Sequence, residues 1–160
     1  MQKNKGMLLE NIINRSIEFM WINHIAYIEK KHLPIKFSKI VLQNHKLNFE
    51  NAIVLSKSTV DYIGCYNGSF IAFEAKTCDS ELFSLSNLKE HQFEYLENIS
   101  NNGGEAFVIF FFSAKKEFYK LDIKKIMAIW QKQKSISYWW IKENSKALTL
   151  EFPGLLNICN

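Results

Sequence analysis

The pair Asn67-Gly68 constrains the fold of this chain more than any other feature, because it separates two segments of strand-like composition. Asn-Gly is the favoured sequence for a two-residue type I′ turn, in which both residues adopt positive φ angles. Residues 61–76 are therefore predicted to form a β-hairpin. If the two strands pair without interruption outward from this turn, Tyr66 faces Ser69 and Asp61 faces Glu74.

The predicted hairpin brings two carboxylates together on one face. Directly opposed residues have Cβ atoms roughly 4.5–5.5 Å apart, and like charges at that distance are destabilising. Asp61 and Glu74 therefore need a proton, a neighbouring cation or a divalent metal, and their oxygens suit Mg²⁺ or Mn²⁺. Lys76 is two residues beyond Glu74 and projects from the same face. The opposite, core-facing side is predicted to hold Ile71, Phe73 and Ala75.

Two carboxylates beside a lysine are the groups that metal-assisted phosphodiester hydrolysis requires. Asp61 and Glu74 would hold the ion, which lowers the pKa of a bound water. Lys76 would orient the attacking water and stabilise the developing negative charge. The alternative is a solvated strand face, since this spacing of Asp, Glu and Lys also occurs by chance. A one-residue bulge would move Asp61 to the other face.

Three polar residues elsewhere are candidates for the same site. Gln92 falls within the apolar stripe of a predicted helix, so its amide needs a hydrogen-bond partner, which is either the backbone or the site. Glu10 follows two leucines near the buried stripe of the first helix, where a solvated position is the alternative. Thr59, two residues before Asp61, is either a strand-favouring residue or a polar group on the active face.

The order of predicted elements defines the fold class. The apolar spacing predicts a long helix from Met7 to about Lys31, ended by the Lys-Lys-His run and Pro34. A helix is also predicted from Asn87, capped with Glu90, to Ser100. Further elements are predicted at 105–113 and 117–121 (strands), at 122–134 (a helix capped by Asp122) and at 137–141. This order indicates a single α/β or α+β domain spanning residues 1–160.

Composition limits the classes of function. The chain has 160 residues, a net charge of +4 and a single arginine, Arg15. The mild basic excess permits nucleic-acid binding. Lysine lacks the bidentate fork that arginine uses on guanine edges, which favours contact with the DNA backbone over base reading.

The cysteines and the apolar runs bear on location. Cys65, Cys78 and Cys159 form no C-x-x-C pair, and their odd number without a signal peptide indicates reduced thiols in the cytoplasm. No apolar run approaches the roughly 20 residues of a membrane span. We therefore expect a cytoplasmic protein that does not associate with membranes.

Five motifs in the same order resemble those of the RecU-type Holliday junction resolvases. They are Gly6-Met7-Leu8-Leu9-Glu10, Ser58-Thr59-Val60-Asp61-Tyr62-Ile63-Gly64, Tyr66-Asn67-Gly68, Phe73-Glu74-Ala75-Lys76 and His91-Gln92. The E-x-K motif alone is weak, but five collinear matches across most of the chain are specific.

The resemblance implies a PD-(D/E)xK nuclease: a restriction-endonuclease-like mixed β-sheet flanked by helices. It implies a homodimer that binds four-way DNA junctions and nicks two strands of like polarity, using Mg²⁺ or Mn²⁺, in homologous recombination and DNA repair. It assigns Asp61 and Glu74 to metal ligation, with the Ala75 carbonyl as a further ligand, and makes Lys76 the residue that positions water or stabilises the transition state. The resemblance makes Glu10, Thr59 and Gln92 supporting groups of the active site. Thr59 and Gln92 are also candidate metal ligands.

The resemblance also implies a stalk at about residues 34–58, inserted in the nuclease domain and pushed into the centre of the junction. Candidate DNA-binding residues there are Lys36, Lys39, Lys46 and Lys57. The chain departs from the family pattern in its short basic N-terminal segment, in Val60 beside Asp61, and in a stalk without arginine. These departures bear on affinity and junction selectivity more than on the hydrolytic centre.

Two alternatives stay open beside a junction resolvase. One is a different endonuclease on the same PD-(D/E)xK core, for which a chain with one arginine and no added recognition domain is poorly equipped. The other is a junction-binding protein without catalytic activity. The presence of Asp61, Glu74, Lys76 and Gln92 argues against that second alternative.

Overall fold

The structure is a computed structural model that describes residues 5–56 and 59–159. Four helices are described: α1 (Lys5–Ile22), α2 (Glu90–Asn101), α3 (Ile123–Met127) and α4 (Tyr138–Asn144). The strands are β1 (Tyr27–Lys30), β2 (Ile35–Lys36), β3 (Lys39–Gln43), β4 (Lys46–Glu50), β5 (Ile53–Val54), β6 (Tyr62–Tyr66), β7 (Ser69–Cys78), β8 (Leu82–Ser84), β9 (Glu105–Phe112), β10 (Glu117–Asp122), β11 (Ser135–Ser137), β12 (Lys146–Leu148), β13 (Leu150–Glu151) and β14 (Leu155–Leu156). None of these helices is long and apolar enough to cross a membrane.

A mixed six-stranded sheet forms the centre of the molecule, in the order β1-β6-β7-β9-β10-β12. Within it β7 and β9 run parallel, and the other neighbours are antiparallel. One face packs on α2, α3 and α4 through residues such as Ala72 and Val108. The other face packs on α1 and the C-terminal segment through residues such as Ile71 and Phe107. The predicted mixed α+β fold, a sheet flanked by helices, is confirmed.

The hairpin of β6 and β7 has the predicted register. Tyr66 pairs with Ser69, and Tyr62 pairs with Phe73, with an unbroken ladder between these two pairs. The turn residues Asn67 and Gly68 have φ angles of 47° and 80°, as a type I′ turn requires. The next step beyond Tyr62 and Phe73 brings Asp61 level with Glu74.

The first helix is shorter than predicted. It ends at Ile22 instead of near Lys31, and His24 turns the chain with a φ of 56°. Residues 27–30 then form the edge strand β1, which pairs with β6. The apolar spacing misled because isoleucines in both α1 and β1 continue one helical periodicity, and no Gly or Pro separates the two elements.

The later helices also differ from prediction at their ends. The predicted pair of Asn87 and Glu90 does not cap α2, because Asn87 closes a 3₁₀ turn and Lys89 is the N-cap residue. Asp122 does cap α3 by accepting the N–H of Lys124, but α3 ends at Met127 and not near residue 134. The last predicted element is the helix α4.

Residues 34–55 form a two-stranded ribbon, which we call the ribbon throughout. It contains the β3–β4 hairpin and, nearer the sheet, the paired strands β2 and β5. Every residue of the ribbon except Val41 is exposed. Its large exposed apolar side chains are Ile35, Phe37, Ile40, Leu42, Leu47, Phe49, Ile53, Val54 and Leu55.

The C-terminal segment is attached to the N-terminal helix. Ser16 is buried in α1, and its hydroxyl accepts the N–H of Leu156 at 2.8 Å. The Lys120 ammonium donates to the carbonyl of Ile158 at 2.8 Å. These bonds fix the segment against α1 and the outer part of the sheet.

Candidate active site

The Glu74 side chain is completely buried, with 0% of its surface exposed. It lies on β7 beside Val108 of β9, on the face of the sheet that α2 covers. Asp61 and Lys76 are only half-buried. Because Glu74 is removed from water, it is not part of a solvated strand face. This excludes the alternative that the sequence left open.

Burial and a neighbouring charge act together on Glu74. The pKa of Glu74 is raised to about 8, first because burial penalises the charged form and second because the Asp61 carboxylate is close. The Lys76 ammonium opposes this rise from 2.9 Å away, at Oε2. Neither oxygen of Glu74 accepts a hydrogen bond from the described residues, so the contact with Lys76 is an ion pair without hydrogen-bond alignment. The carboxylate is therefore under-compensated and fits an additional cation.

Asp61 is held by the backbone of the neighbouring strand. Its Oδ2 accepts the N–H of Ala75 at 3.0 Å. Its own carbonyl accepts the N–H of Lys31 at 2.8 Å, which continues the pairing of β1 with β6. The Asp61 carboxylate is thus fixed between β1 and β7, level with Glu74.

Gln92 links α2 to the lysine of the site. Its Oε1 accepts the backbone N–H of Lys89 at 3.0 Å, which completes the cap of α2. The same oxygen lies 3.4 Å from Lys76 Nζ, within hydrogen-bond range. Gln92 therefore positions the Lys76 ammonium, while its metal ligation stays a prediction.

On the α1 side, a cavity of about 290 Å³ opens beside the site. It is lined by Gly6, Glu10, Lys30, Asp61, Tyr62, Ala75 and Lys76. Glu10 forms an ion pair with Lys30 across it. The structure thus brings Glu10 to the site, as the sequence predicted, together with Lys30, which sequence reasoning missed.

Thr59 contacts a second residue that sequence reasoning missed. The Lys31 ammonium donates to Thr59 Oγ1 at 2.7 Å. Both lysines were missed because 30–31 were placed at the end of a helix. The local sequence offered no decisive signal for a strand, since the isoleucines there continue the helical spacing of α1.

The candidate DNA-binding lysines lie apart from this centre. The ribbon carries Lys36, Lys39 and Lys46, all exposed. Lys39 forms an exposed ion pair with Glu50 at 3.9 Å. Lys57 lies outside the described residues.

No group of three or more His, Cys, Asp or Glu residues that could hold a metal occurs in 5–56 or 59–159. The candidate donors for a metal at the site are the carboxylates of Asp61 and Glu74 and the Ala75 carbonyl, with the side-chain oxygens of Thr59 and Gln92 as further candidates. A small number of protein ligands is sufficient for Mg²⁺, because this ion keeps several of its waters and often binds substrate phosphates.

The chain matches a known family over almost its whole length. The family described as RecU, Recombination protein U, matches residues 4–160. A Holliday junction resolvase RecU of Mycoplasmopsis pulmonis is 45% identical over 156 residues, which are 98% of this chain and 92% of that protein. The protein of the same name from Ureaplasma parvum serovar 3 is 30% identical over 157 residues, with 97% and 89% covered. That of Bacillus cereus (strain B4264) is 35% identical over 153 residues, with 91% and 76% covered.

A solved structure shares the fold. It is Archaeoglobus fulgidus Hjc, a Holliday junction resolvase from an archaeal hyperthermophile, with a TM-score of 0.54 and 12% identity. The similarity covers 89% of this chain and 95% of that one. The nuclease fold that the motifs predicted is confirmed. With the family match over residues 4–160 and relatives of up to 45% identity, this chain belongs to the RecU family.

Proposed function

We propose that this protein is a Holliday junction resolvase, an endonuclease that nicks four-way DNA junctions symmetrically in recombination and DNA repair. The observation that carries the proposal is the buried Glu74 carboxylate, level with Asp61 and 2.9 Å from Lys76. The proposed substrate, a four-way DNA junction, is inferred from the relatives, which are named Holliday junction resolvase RecU. We place this activity in the cytoplasm.

A divalent metal fits the donor set. The Glu74 carboxylate is buried without a hydrogen bond from the described residues, and its raised pKa reflects an electrostatic cost that a cation would remove. Asp61, Glu74 and the Ala75 carbonyl would hold Mg²⁺, or Mn²⁺ in its place, with Thr59 and Gln92 as further candidate ligands. When bound, the metal supplies an activated water and neutralises charge on the phosphoryl oxygen.

The protein's own groups would do the remaining work. The Ala75 N–H fixes the orientation of the Asp61 carboxylate. Gln92 holds the Lys76 ammonium at the edge of the site, where it would orient the attacking water and stabilise charge on the phosphate. Glu10, in the adjoining cavity, would act through its ion pair with Lys30.

Symmetric cleavage needs two sites, so we propose a homodimer with the ribbon acting as the stalk at the junction centre. The exposed apolar residues of the ribbon support this assignment, because a monomer rarely leaves so many large apolar side chains in water. Lys36, Lys39 and Lys46 would meet DNA phosphates there, together with Lys57.

One experiment tests the proposal. The purified protein is given a mobile four-way junction, a linear duplex and a single strand, with Mg²⁺, Mn²⁺ or EDTA. We expect paired nicks on the junction alone, absent in EDTA and in Glu74→Gln. Sequence-specific duplex cutting would indicate a different endonuclease, and tight junction binding without cleavage would indicate an inactive junction-binding protein. Light scattering should give the mass of a dimer.

A further inference from the structure

The pairing of β1 with β6 places Lys31 on the same face as the two carboxylates. Lys30 pairs with Tyr62, and in the next hydrogen bond along the two strands the Lys31 N–H donates to the Asp61 carbonyl. Opposed residues of neighbouring strands share a face. Lys31 directly follows β1, Asp61 directly precedes β6 and Glu74 is on β7, so the three lie side by side, facing α2.

Lys30 and Lys31 have different environments, although they are neighbours in sequence. Lys30 lies on the α1 side, where the Glu10 carboxylate neutralises it. Lys31 forms no ion pair with any carboxylate of the described residues. It is half-buried and lies at the mouth of the site.

The Lys31 ammonium is nevertheless held in place. It donates to Thr59 Oγ1 at 2.7 Å and lies 5.4 Å from the centre of the Tyr95 ring, in range for a cation–π contact. Tyr95 is on α2, one turn beyond Gln92, so the helix that positions Lys76 also positions Lys31. Both contacts are with neutral groups, so the ammonium is held in place and can still bind an incoming anion.

We propose that Lys31 is a DNA-phosphate-binding residue of the active site. This assignment rests on the proposed nuclease function, which supplies the anion. Neighbouring strands are about 4.8 Å apart, so two strand spacings separate Lys31 from Glu74 by roughly 10 Å. Lys31 would therefore bind a phosphate near the one that is hydrolysed and fix the strand in register with Glu74 and Lys76.

The proposal gives Thr59 a specific role. Its hydroxyl oxygen already accepts a hydrogen bond from an ammonium. Thr59 therefore positions the Lys31 ammonium, in addition to its candidate role as a metal ligand.

Binding without cleavage gives the decisive measurement. Affinity for a four-way junction is measured in EDTA from about 50 to 200 mM salt for wild type, Lys31→Met, Lys31→Arg and Thr59→Val. The control, Lys125→Met, removes an exposed lysine of α3. We expect Lys31→Met to lose about tenfold in affinity and to reduce the slope of log K against log salt by about 0.9 for each lost phosphate contact. Lys31→Arg should keep the wild-type slope, and Thr59→Val should lose affinity several-fold.

The outcomes distinguish a failure of the Lys31 assignment from a failure of the proposed nuclease function. An unchanged slope for Lys31→Met, with a wild-type enzyme that binds and cleaves junctions, overturns the role of Lys31 alone. Loss of metal-induced thermal stabilisation in Lys31→Met would also overturn it, since Lys31 would then support the metal site. A wild-type protein that binds no DNA would overturn the proposed function, and the Lys31 assignment with it.

Discussion

The Lys76 ammonium lies 2.9 Å from Oε2 of Glu74, yet it does not compensate the burial of that carboxylate. Desolvation and the Asp61 charge together outweigh the lysine, and the pKa of Glu74 is raised to about 8. The site therefore holds a group whose charge is costly in the metal-free protein. This cost can be measured.

The first prediction concerns Glu74→Gln. The amide keeps the shape of the side chain and removes the buried charge, so the metal-free variant should fold and be more stable than wild type at pH 8. Cleavage should fall by at least about a thousandfold, because the proposed metal ligand is lost. Thermal denaturation in EDTA and a junction-cleavage assay measure the two effects. Cleavage near the wild-type rate would contradict the role of Glu74.

The second prediction concerns pH. In the unfolded chain Glu74 ionises with the ordinary glutamate pKa of 4.5, whereas in the folded protein it keeps its proton up to about pH 8. Between these two pH values the folded state binds more protons than the unfolded state. The contribution of Glu74 to stability is therefore greatest below about pH 4.5 and declines as the pH rises to about 8. A tenfold change in an ionisation constant corresponds to about 1.4 kcal/mol, so a rise of the Glu74 pKa from 4.5 to about 8 predicts a loss on the order of 5 kcal/mol.

Urea denaturation in EDTA at several pH values measures this decline. Glu74→Gln should remove most of it, and added Mg²⁺ should oppose it in wild type only. A wild-type stability that is flat from pH 5 to 8 would show that Glu74 ionises normally.

The third prediction separates chemistry from binding at Lys76. Lys76→Met removes the ammonium but keeps the apolar stem, so junction affinity should change less than threefold. The rate of cleavage should fall about 10²–10³-fold, the range seen when one preorganised donor to developing charge is removed. Single-turnover kinetics at saturating protein measure the rate. A defect confined to affinity would mean that Lys76 binds DNA without acting in the chemical step.

The fourth prediction concerns Gly64, where β1 approaches β6 closely. A Cβ there would collide with the Tyr27 carbonyl oxygen and lie 2.7 Å from the Ile28 Cα. Gly64→Ala should displace β1, lower the free energy of unfolding by about 1–3 kcal/mol and weaken the placement of Lys31. Gly68→Ala is a useful comparison, since it has space for a Cβ but a φ of 80°. It should destabilise the turn while leaving β1 in place.

The fifth prediction concerns the ribbon. Replacing Lys36, Lys39 and Lys46 together by Gln should weaken junction binding and reduce its salt dependence, because exposed lysines contribute through phosphate contacts. Metal-induced thermal stabilisation should be unchanged, since the ribbon lies apart from Asp61 and Glu74. Unchanged junction affinity would exclude these lysines from DNA binding.

The part of the site within the β6–β7 hairpin was predictable because it is encoded locally. The Asn67-Gly68 turn determines the pairing of adjacent strands, and the pairing determines which side chains share a face. Glu74, Asp61 and Lys76 were therefore correctly placed relative to one another. The complete burial of Glu74 was not predictable, because it depends on α2 packing over that face.

Lys30 and Lys31 show where sequence reasoning fails. Their segment has isoleucines three residues apart, which fits a helix, and nothing nearby interrupts the helical pattern. The choice is made by β6, a distant strand whose Gly64 admits the β1 backbone. Tertiary pairing thus overrides the local pattern at the residues that the Lys31 proposal concerns.

The hydrogen bond from Leu156 to Ser16 spans 140 residues of chain and has a consequence for the order of synthesis. Helix α1 is translated well before the segment that covers its Ser16 face. Contacts so distant in sequence form late. The α1 side of the molecule, which carries Glu10, should therefore be completed only after translation of the segment around Leu156. A chain that lacks this segment would leave the Ser16 face of α1 uncovered.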